Sequence, residues 1–477
     1  MKHERILSVQ QRGEKDFKTA LLEVYGENLV HPFAGFVFAI SLICTFCAPR
    51  KYLIWPIIII ACFISPAQRF AFFGLDFHFL RAIALILLIR VLLFRDLKDV
   101  KLGKADLAMF GIVGVIILCT LARTGFSPAI SMSGKMIEPF CLYFVGRALV
   151  RSLDDVRYML LGVSIIGIPV AISFTVEQFT RYNFFSLFGG IPEMTVIRDG
   201  KLRSQGSFVH PITAGVFWAS FAPMCFSQIV AKQRSLFNIC IGWIGYSMCF
   251  ICALMTNSST SIAGLLIGLV GWCFYKSRNR LRLIFWVTLI IMAMVHVAST
   301  RGIHGVIFTR ISFISSSTGY HRYMLFEGLF NNVQKWFVMG TNSRMFNRSF
   351  IDLTNQYVII ALDGGIVALF LQIAMIIMAF KAVGRALKAS VQRYDTLLIF
   401  GIGVAFLTTI ISFTAVSTNG EGVIPLYLFM GIMISLGDPT IGLRNLRRNE
   451  TPEITKNEKE DRNSNSGNSP FTGRARG

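Results

Sequence analysis

A short polar segment, R-S-Q-G-S-F-V-H-P, runs from Arg203 to Pro211 and stands directly before a long apolar run. Pro211 suits the first position of a helix, because proline lacks the N–H group that has no partner there. The free amides and the dipole of such a helix start attract anions, and Gly206 allows a sharp turn between Arg203 and the helix. Arg203 and His210 are therefore candidates for binding a phosphate or diphosphate. The alternatives are that Arg203 reaches to lipid headgroups and that His210 belongs only to the helix start.

A second set of polar residues lies in the long segment 299–355. Residues 321–337 have the spacing of an amphipathic helix lying on the membrane bundle. Its apolar members include Met324, Leu325, Leu329 and Phe330. On its polar positions, Arg322 could bind a second phosphate oxygen or a sugar, and His321 or Glu327 could act as a general base. A histidine in a loop is more often structural, so this interpretation of His321 has an alternative.

Two further carboxylates stand in or beside apolar runs. Asp363 lies eight residues after Asn355, hence about 12 Å along a helix at 1.5 Å per residue. An ionisable group inside a membrane helix typically marks a functional cavity, although Asp363-Gly364-Gly365 could instead form a kink with Asp363 bonded to a neighbour. Glu177 ends the run 158–176 and is a candidate base; the alternative is a solvated residue at the membrane interface.

The elements that carry these residues are apolar runs. Of 477 residues, 54% are hydrophobic and 15% are charged, against about 25% charged in soluble domains. Runs of this length satisfy their backbone groups in lipid as helices, and they lack the alternation of barrel strands. The thirteen runs lie at about 33–48, 52–65, 78–94, 106–122, 138–150, 158–176, 211–230, 237–255, 261–275, 283–298, 356–380, 396–414 and 422–436. The sequence therefore predicts an all-α, polytopic integral membrane protein.

The orientation follows from the lysines and arginines, which cluster in alternate connectors and should mark the cytoplasmic side. These connectors are 95–104, 147–157, 232–234, 276–282, 381–393 and 444–448. The long loops 177–210 and 299–355 then face outward, the latter before the last three helices. Runs 33–48 and 52–65 are short, so we expect one of them to be partial or re-entrant. This predicts about twelve crossings, with a cytoplasmic N-terminal segment 1–32, a bundle 33–437 and a disordered cytoplasmic tail 438–477.

Several kinds of function are disfavoured by the same sequence. The net charge of +21 is dispersed among the connectors, so it indicates topology and not nucleic-acid binding. The pairs Cys44/Cys47 and Cys249/Cys252 have metal-like spacing, but they lie in apolar runs without a second pair, and we interpret them as small buried residues. No phosphate-binding glycine loop and no carboxylate cluster occurs. We expect neither a metal nor another cofactor.

The order of several motifs resembles the O-antigen ligase and polymerase superfamily, which assembles bacterial envelope polysaccharides. The resemblance covers roughly residues 100–435. It is carried by K-M-I-E-P-F within 135–180, by R-S-Q-G-S-F-V-H-P-I-T-A-G in 203–219, by N-S-S-T-S-I-A-G in 257–268, and by Y-H-R-Y-M-L-F-E-G and D-L-T-N-Q-Y-V-I-I-A-L-D-G-G in 320–369.

This resemblance implies a metal-independent membrane glycosyltransferase of type C-like architecture, acting on the outer face of the bacterial cytoplasmic membrane. Its partners would be glycans linked to undecaprenyl diphosphate, the lipid bilayer and other polysaccharide assembly proteins. Arg203 and Arg322 stand at the family's arginines that contact the diphosphate or glycan. Ligases of the family carry a His-Asn pair where this chain has Thr354-Asn355, so Asn355 is retained as a substrate contact and the histidine is missing.

The missing histidine favours a polymerase of exopolysaccharide or O-antigen units over an O-antigen ligase that transfers glycan to lipid A core. A third interpretation, of another class, is a transporter or flippase for lipid-linked oligosaccharides, with Arg203, Arg322 and Asp363 along its path. A non-catalytic assembly scaffold is a fourth.

Overall fold

The structure, a computed structural model, describes residues 30–448 except 73–74, 99, 196, 199, 232–235, 300–315, 342–352 and 418–419. Helices dominate the described residues. They are α1 (Pro32–Cys47), α2 (Trp55–Phe63), α3 (Phe79–Leu93), α4 (Lys104–Thr124), α5 (Phe126–Leu149), α6 (Leu153–Thr180), α7 (Pro211–Val230), α8 (Leu236–Met255), α9 (Ser259–Cys273), α10 (Leu281–Ala298), α11 (Ser316–Asn331), α12 (Val333–Trp336), α13 (Gln356–Ala389), α14 (Arg393–Ser412), α15 (Val423–Leu436) and α16 (Gly442–Arg448).

Two short antiparallel hairpins are the strands of the described part of the chain. In the first, β1 (Arg69–Phe72) pairs with β2 (Leu75–His78), and Arg69 stands opposite His78. In the second, β3 (Ile197–Arg198) pairs with β4 (Lys201–Leu202). Both hairpins lie in connections between helices, so the fold is all-α, as predicted.

Seven helical stretches among the described residues are long and apolar enough to cross a bilayer, judged by length and composition. They are α4, α6, α7, α8, the continuous stretch Ser259–Ala298 that contains α9 and α10, α13 and α14. This confirms a helical membrane protein in its coarse form. The count of about twelve crossings stays a prediction.

One end of the bundle, here called the basic end, gathers the connectors predicted to be cytoplasmic. Arg157 Nη2 lies 2.6 Å from Asp395 Oδ1, and Asn445 Nδ2 donates to the carbonyl of Arg151 at 2.9 Å. The opposite end, here called the loop end, gathers the other connectors. There Asn257 Nδ2 donates to the carbonyl of Leu202 at 2.7 Å. The Arg157 and Asn445 contacts bring connector 147–157 together with connector 444–448 and the start of α14 at the basic end.

The start of the described chain links the two ends. His31 N donates to Gln68 Oε1 at 3.0 Å, at the loop end, whereas Lys51 Nζ reaches Tyr158 Oη at 3.2 Å, at the basic end. Helix α1 joins these points, and α2 returns with nine residues, about 14 Å and less than a full bilayer core. Residues 1–29 of the predicted cytoplasmic segment lie outside the described residues, but residues 30–32 lie at the loop end.

Two predicted boundaries differ from the structure. Residues 123–137, which separate the predicted runs 106–122 and 138–150, are helical except at Gly125: the chain reverses there, where φ is +87°, and α5 begins at Phe126. The tail predicted to be disordered from 438 instead begins with the ordered helix α16, whose Leu446 is buried. Residues 449–477 lie outside the described residues, so their predicted disorder stays a prediction.

A buried ionic cluster holds the basic end together. Arg147 is 2% exposed, and its guanidinium lies 3.2 Å from Asp106 Oδ1 and 2.8 Å from Asp438 Oδ2. Tyr143 Oη also donates to Asp106 Oδ1, at 2.8 Å. Burial alone raises the pKa of Asp438, but hydrogen bonds from Thr440 and Arg147 outweigh it and lower the pKa overall. The cluster therefore joins α4, α5 and the end of α15.

Helix α13 is broken near the loop end. Gly364 and Gly365 have non-helical backbone angles, and Gly365 has φ of +66°. A Cβ at Gly365 would lie 2.5 Å from the carbonyl oxygen of Val338. The segment after α12 fills the break, since Ile366 N donates to the Phe337 carbonyl at 2.8 Å and Thr341 N to the Leu362 carbonyl at 2.7 Å.

Candidate functional site

The segment Arg203–Pro211, here called the arginine segment, runs through the loop end and contacts three helices. Ser204 N donates to the Met255 carbonyl of α8 at 3.1 Å, and Ser204 Oγ donates to the Phe174 carbonyl of α6 at 2.9 Å. Ser207 Oγ donates to the Cys62 carbonyl of α2 at 2.7 Å. The Met255 and Cys62 carbonyls lie in the last turns of their helices, where carbonyls lack helical partners, whereas the Phe174 carbonyl lies within α6. The segment is consequently tied by hydrogen bonds to α2, α6 and α8.

Glu177, a candidate base, anchors the arginine segment. Its side chain accepts hydrogen bonds from Gln205 N and Gly206 N, both at 3.0 Å, and from Thr195 Oγ1. The residue is 1% exposed. A carboxylate with three donors and no access to solvent positions its neighbours, and in this conformation it is not available to take a proton from a substrate hydroxyl.

Gly206 has the role that its place in the sequence predicted. Its φ is +61°, and a Cβ there would lie 2.2 Å from Phe174 Cε1. Asn183 Nδ2 donates to the Gly206 carbonyl at 2.9 Å, which fixes the turn from the other side. Only glycine fits this close approach to α6.

His210 and Pro211 form the start of α7, as predicted. Pro211 is the first helical residue, and His210 Nδ1 accepts a hydrogen bond from Ile212 N at 3.1 Å. Burial, followed by the charges of Arg203 and Arg198, lowers the pKa of His210 to about 4. The imidazole is therefore neutral at neutral pH and caps the helix, so it takes up one of the amides that an anion would otherwise use.

Arg203 lies beside His210 and is 6% exposed. Its Nε donates to the carbonyl of Thr256 at 3.4 Å. Arg198, on β3, is exposed and acts on the same histidine. The two arginines and the positive start of α7 together make this part of the loop end electropositive, which suits a phosphate or diphosphate group.

Asn355, a predicted substrate contact, has a structural role in this conformation. It is the residue before α13, and its Oδ1 accepts from Tyr357 N at 2.9 Å and from Val358 N at 3.2 Å. Its Nδ2 donates to the carbonyl of Thr414 at 2.8 Å. Every hydrogen-bonding side-chain atom of Asn355 has a protein partner, and the residue is 1% exposed.

Asp363 lies at the break in α13, so the kink that the sequence left as an alternative is present. Arg123 binds the main chain there: its Nη1 donates to the Leu362 carbonyl at 3.1 Å and its Nη2 to the Asp363 carbonyl at 2.8 Å. Arg123 and Lys135 are the cations that act on the Asp363 carboxylate. The carboxylate thus belongs to a charged group at the ends of α4 and α5 and is separate from the arginine segment.

The remaining candidates lie on α11, which ends at Asn331, short of the predicted 337. Of the predicted apolar positions, Phe330 is exposed and so does not pack on the bundle. Leu325 and Leu329 are buried, and Glu327 is partly exposed. The backbones of His321 and Arg322 belong to α11, whereas their side chains lie outside what the structure describes. Their predicted roles therefore stay predictions.

Sequence reasoning missed the residues that position Arg203. Asn183, Thr195 and Asn257 bind the main chain or the carboxylate anchor around the arginine segment. Asn257 has a visible signal, since it follows the apolar run of α8 and opens N-S-S-T, one of the motifs that carry the family resemblance. Motifs separated by more than fifty residues in sequence are adjacent at the loop end.

Within the described residues, no group of three or more His, Cys, Asp or Glu side chains is arranged to hold a metal ion. No protein-family model and no curated protein matches this chain.

Proposed function

We propose that this protein is a membrane-embedded, metal-independent glycosyltransferase that polymerises oligosaccharide units carried on undecaprenyl diphosphate. It would act at the outer face of a bacterial cytoplasmic membrane, with the loop end facing outward and a type C-like arrangement of about twelve crossings. The product would be an exopolysaccharide or O-antigen chain.

The observation that carries the proposal is the arginine segment. A buried arginine, Arg203, is held next to the start of α7 by bonds from three helices and by the Glu177 anchor. Holding a cation rigidly in a region that excludes water makes it effective against charge that develops during reaction. In glycosyl transfer that charge develops on the departing lipid diphosphate, and its departure supplies the driving force without a nucleotide.

The acceptor hydroxyl must lose a proton as it attacks the anomeric carbon. Glu177 is committed to the arginine segment and His210 to capping α7, so the base falls to Glu327 or His321 on α11. A positioned base contributes about 10²- to 10⁴-fold. Arg322, on the same helix, would contact the diphosphate or the glycan.

Reconstitution tests the proposal directly. The purified protein, placed in liposomes with undecaprenyl diphosphate-linked repeat units, should extend them into longer chains with no nucleotide and no divalent metal added. Arg203→Ala should abolish chain growth, and Arg203→Lys should retain part of it because the charge remains. Arg181→Ala removes an exposed arginine at the same end and should leave activity near wild type. If the double variant Arg203→Ala, Arg322→Ala kept full activity, neither arginine would belong to the site.

A second candidate, a transporter of lipid-linked oligosaccharides, is favoured by the break in α13. Transporters typically bind substrate where a membrane helix is interrupted, and here the break carries Asp363 beside Arg123 and Lys135. A deletion strain separates the candidates. Single repeat units retained on the outer face without polymer indicate a polymerase, whereas single units facing the cytoplasm indicate a transporter. Intact lipid-linked polymer that is not transferred to core indicates the ligase alternative.

A further inference from the structure

Glu421 is a buried carboxyl group that no role described so far uses. It lies in the turn Gly420–Gly422 before α15 and is 0% exposed. Neither of its carboxyl oxygens makes a hydrogen bond of normal geometry, and the donors nearest to them are the main-chain amides of Glu421 itself and Val209. Glu421 forms no ion pair with any residue that the structure describes. Leaving an ionised carboxylate unpaired in a protein interior costs several kcal/mol, so such a group typically takes up a proton.

A second carboxyl group lies near enough to act on Glu421. Glu138, on α5, is 6% exposed and is the carboxylate whose charge acts on Glu421. Its Oε2 lies 3.1 Å from His78 Nε2, and its Oε1 has no hydrogen-bond partner. Two neighbouring carboxyl groups in a buried site do not both ionise, because like charges repel strongly there.

His78 distinguishes the two carboxyl groups, because its side chain lies beside Glu138 and not beside Glu421. Its Nδ1 accepts a hydrogen bond from Arg81 N at 3.4 Å, so its proton resides on Nε2. Nε2 faces Glu138 Oε2 at 3.1 Å, so Glu138 has a polar side-chain partner. Glu421 has no side-chain donor, only the main-chain amides of Glu421 itself and of Val209 nearby, and it is fully buried, so we take it as the neutral member of the pair.

The other elements packed against Glu421 bring no ion pair to it. From α2 the nearest titratable group is the buried Cys62 thiol, which interacts electrostatically with Glu421. From the arginine segment Val209 is the neighbour, and His210 follows it as the helix cap. His78 stands at the end of β2, a strand of the loop-end hairpin, with 13% of its side chain exposed. A path for a proton thus leads from the loop end through His78 to Glu138.

We propose that Glu138 and Glu421 form a proton-binding pair at the loop end, in which Glu421 holds the proton as a neutral carboxylic acid and His78 connects the pair to the outer hairpin. This site does not depend on the proposed glycosyltransferase activity. The pair adjoins the arginine segment, since Val209 of that segment packs beside the turn that carries Glu421.

Infrared spectroscopy of the full chain in nanodiscs tests the pair. Wild-type protein at neutral pH should show the C=O stretch of a buried, protonated carboxylic acid, and Glu421→Gln should lose that band. Glu193→Gln, which changes an exposed glutamate at the same end, should keep it. Glu138→Gln removes the neighbouring negative charge, so the band should disappear at a lower pH than in wild type.

Three outcomes would overturn the proposal. One is a wild-type protein without the band, and another is a band that Glu421→Gln leaves in place. The third is thermal stabilisation by sodium ions that Glu421→Gln abolishes, which would assign the pair to a metal cation. If Glu421→Gln does not fold, Glu138→Gln tests the proposal by itself: a band that disappears at the same pH as in wild type would overturn it.

Discussion

Glu177 accepts the backbone N–H of Gly206 at 3.0 Å, across twenty-nine positions of the sequence. This bond ties the end of α6 to the arginine segment and sets where Arg203 lies. The same carboxylate also accepts the N–H of Gln205, so two successive amides converge on one side chain. The position of the cation therefore depends on residues that carry no positive charge.

Replacing Gly206 with alanine should unfold the arginine segment. The Cβ would lie 2.2 Å from a ring carbon of Phe174, and φ is +61°, a conformation that costs a non-glycine residue about 1–2 kcal/mol before any clash. Gly200→Ala is the matched control, because φ there is +73° but no atom lies within 4 Å of the new Cβ. Thermal unfolding in detergent should show a clearly larger loss for Gly206→Ala. Equal losses would mean that contact with α6 does not matter.

Acidification should destabilise the protein through His210. The folded-state pKa of about 4 lies below the value of about 6.5 expected for an unfolded histidine. Below about pH 6.5 the unfolded state gains a proton that the folded state does not bind, so stability is full above this pH and is lost as the pH falls toward 4. The loss is at most about 3 kcal/mol.

The variant His210→Asn isolates this effect. Asparagine keeps a side-chain oxygen that can accept the Ile212 amide, but it does not titrate. Melting temperatures measured between pH 7.5 and 4.5 should therefore fall less in the variant than in wild type. Parallel curves would assign the acid sensitivity to other groups.

The ionic cluster at the basic end should be a main source of stability. Asp106 is 0% exposed and contacts Arg147, so Asp106→Asn leaves a buried guanidinium short of charge and should cost about 3–5 kcal/mol. Asp154→Asn is the matched control, since Asp154 is 64% exposed in its pair with Arg157 and such pairs contribute about 0–1 kcal/mol. Unfolding in mixed micelles measures both. A loss below that of the control would show that Asp438 alone satisfies Arg147.

The start of the chain should be accessible from the same side as the loop end. Val30 is exposed and adjacent to His31, which binds Gln68. In intact cells a membrane-impermeant maleimide should label Val30→Cys and Arg181→Cys alike, and should spare Lys388→Cys at the basic end; unsubstituted protein gives the background from native cysteines. If Val30→Cys were as poorly labelled as Lys388→Cys, the start of the chain would lie on the cytoplasmic side, as the sequence predicted.

Much of the fold could be predicted from the sequence, because a long apolar run is enough to indicate a helix that crosses a lipid bilayer. Helix α7 begins and ends at the residues that the run 211–230 predicted. The predicted run 138–150 begins later than helix α5 because Ser127, Ser131 and Lys135 make the first turns of the helix polar, and these residues are exposed in the structure.

The site was less predictable, for a physical reason. Arg203, His210 and Glu177 could be chosen from residue type, since each is polar beside an apolar run. Their partners could not, because Asn183 and Asn257 act through main-chain bonds that depend on three-dimensional proximity. Glu421 was overlooked because a single glutamate in a short turn looks solvated, whereas the structure buries it completely.

Helix α10 has no buried residue, although it is as apolar as its neighbours. Contact with acyl tails constrains exposed side chains only by requiring an apolar run of sufficient length. Replacing α10 with an unrelated apolar sequence of equal length should leave the stability of the protein unchanged. Helix α7 is enclosed by α8, α9 and α14, so its sequence cannot be replaced in this way. Scrambling the sequence of each helix in turn would show which helices are constrained by contacts with other helices and which only by contact with lipid.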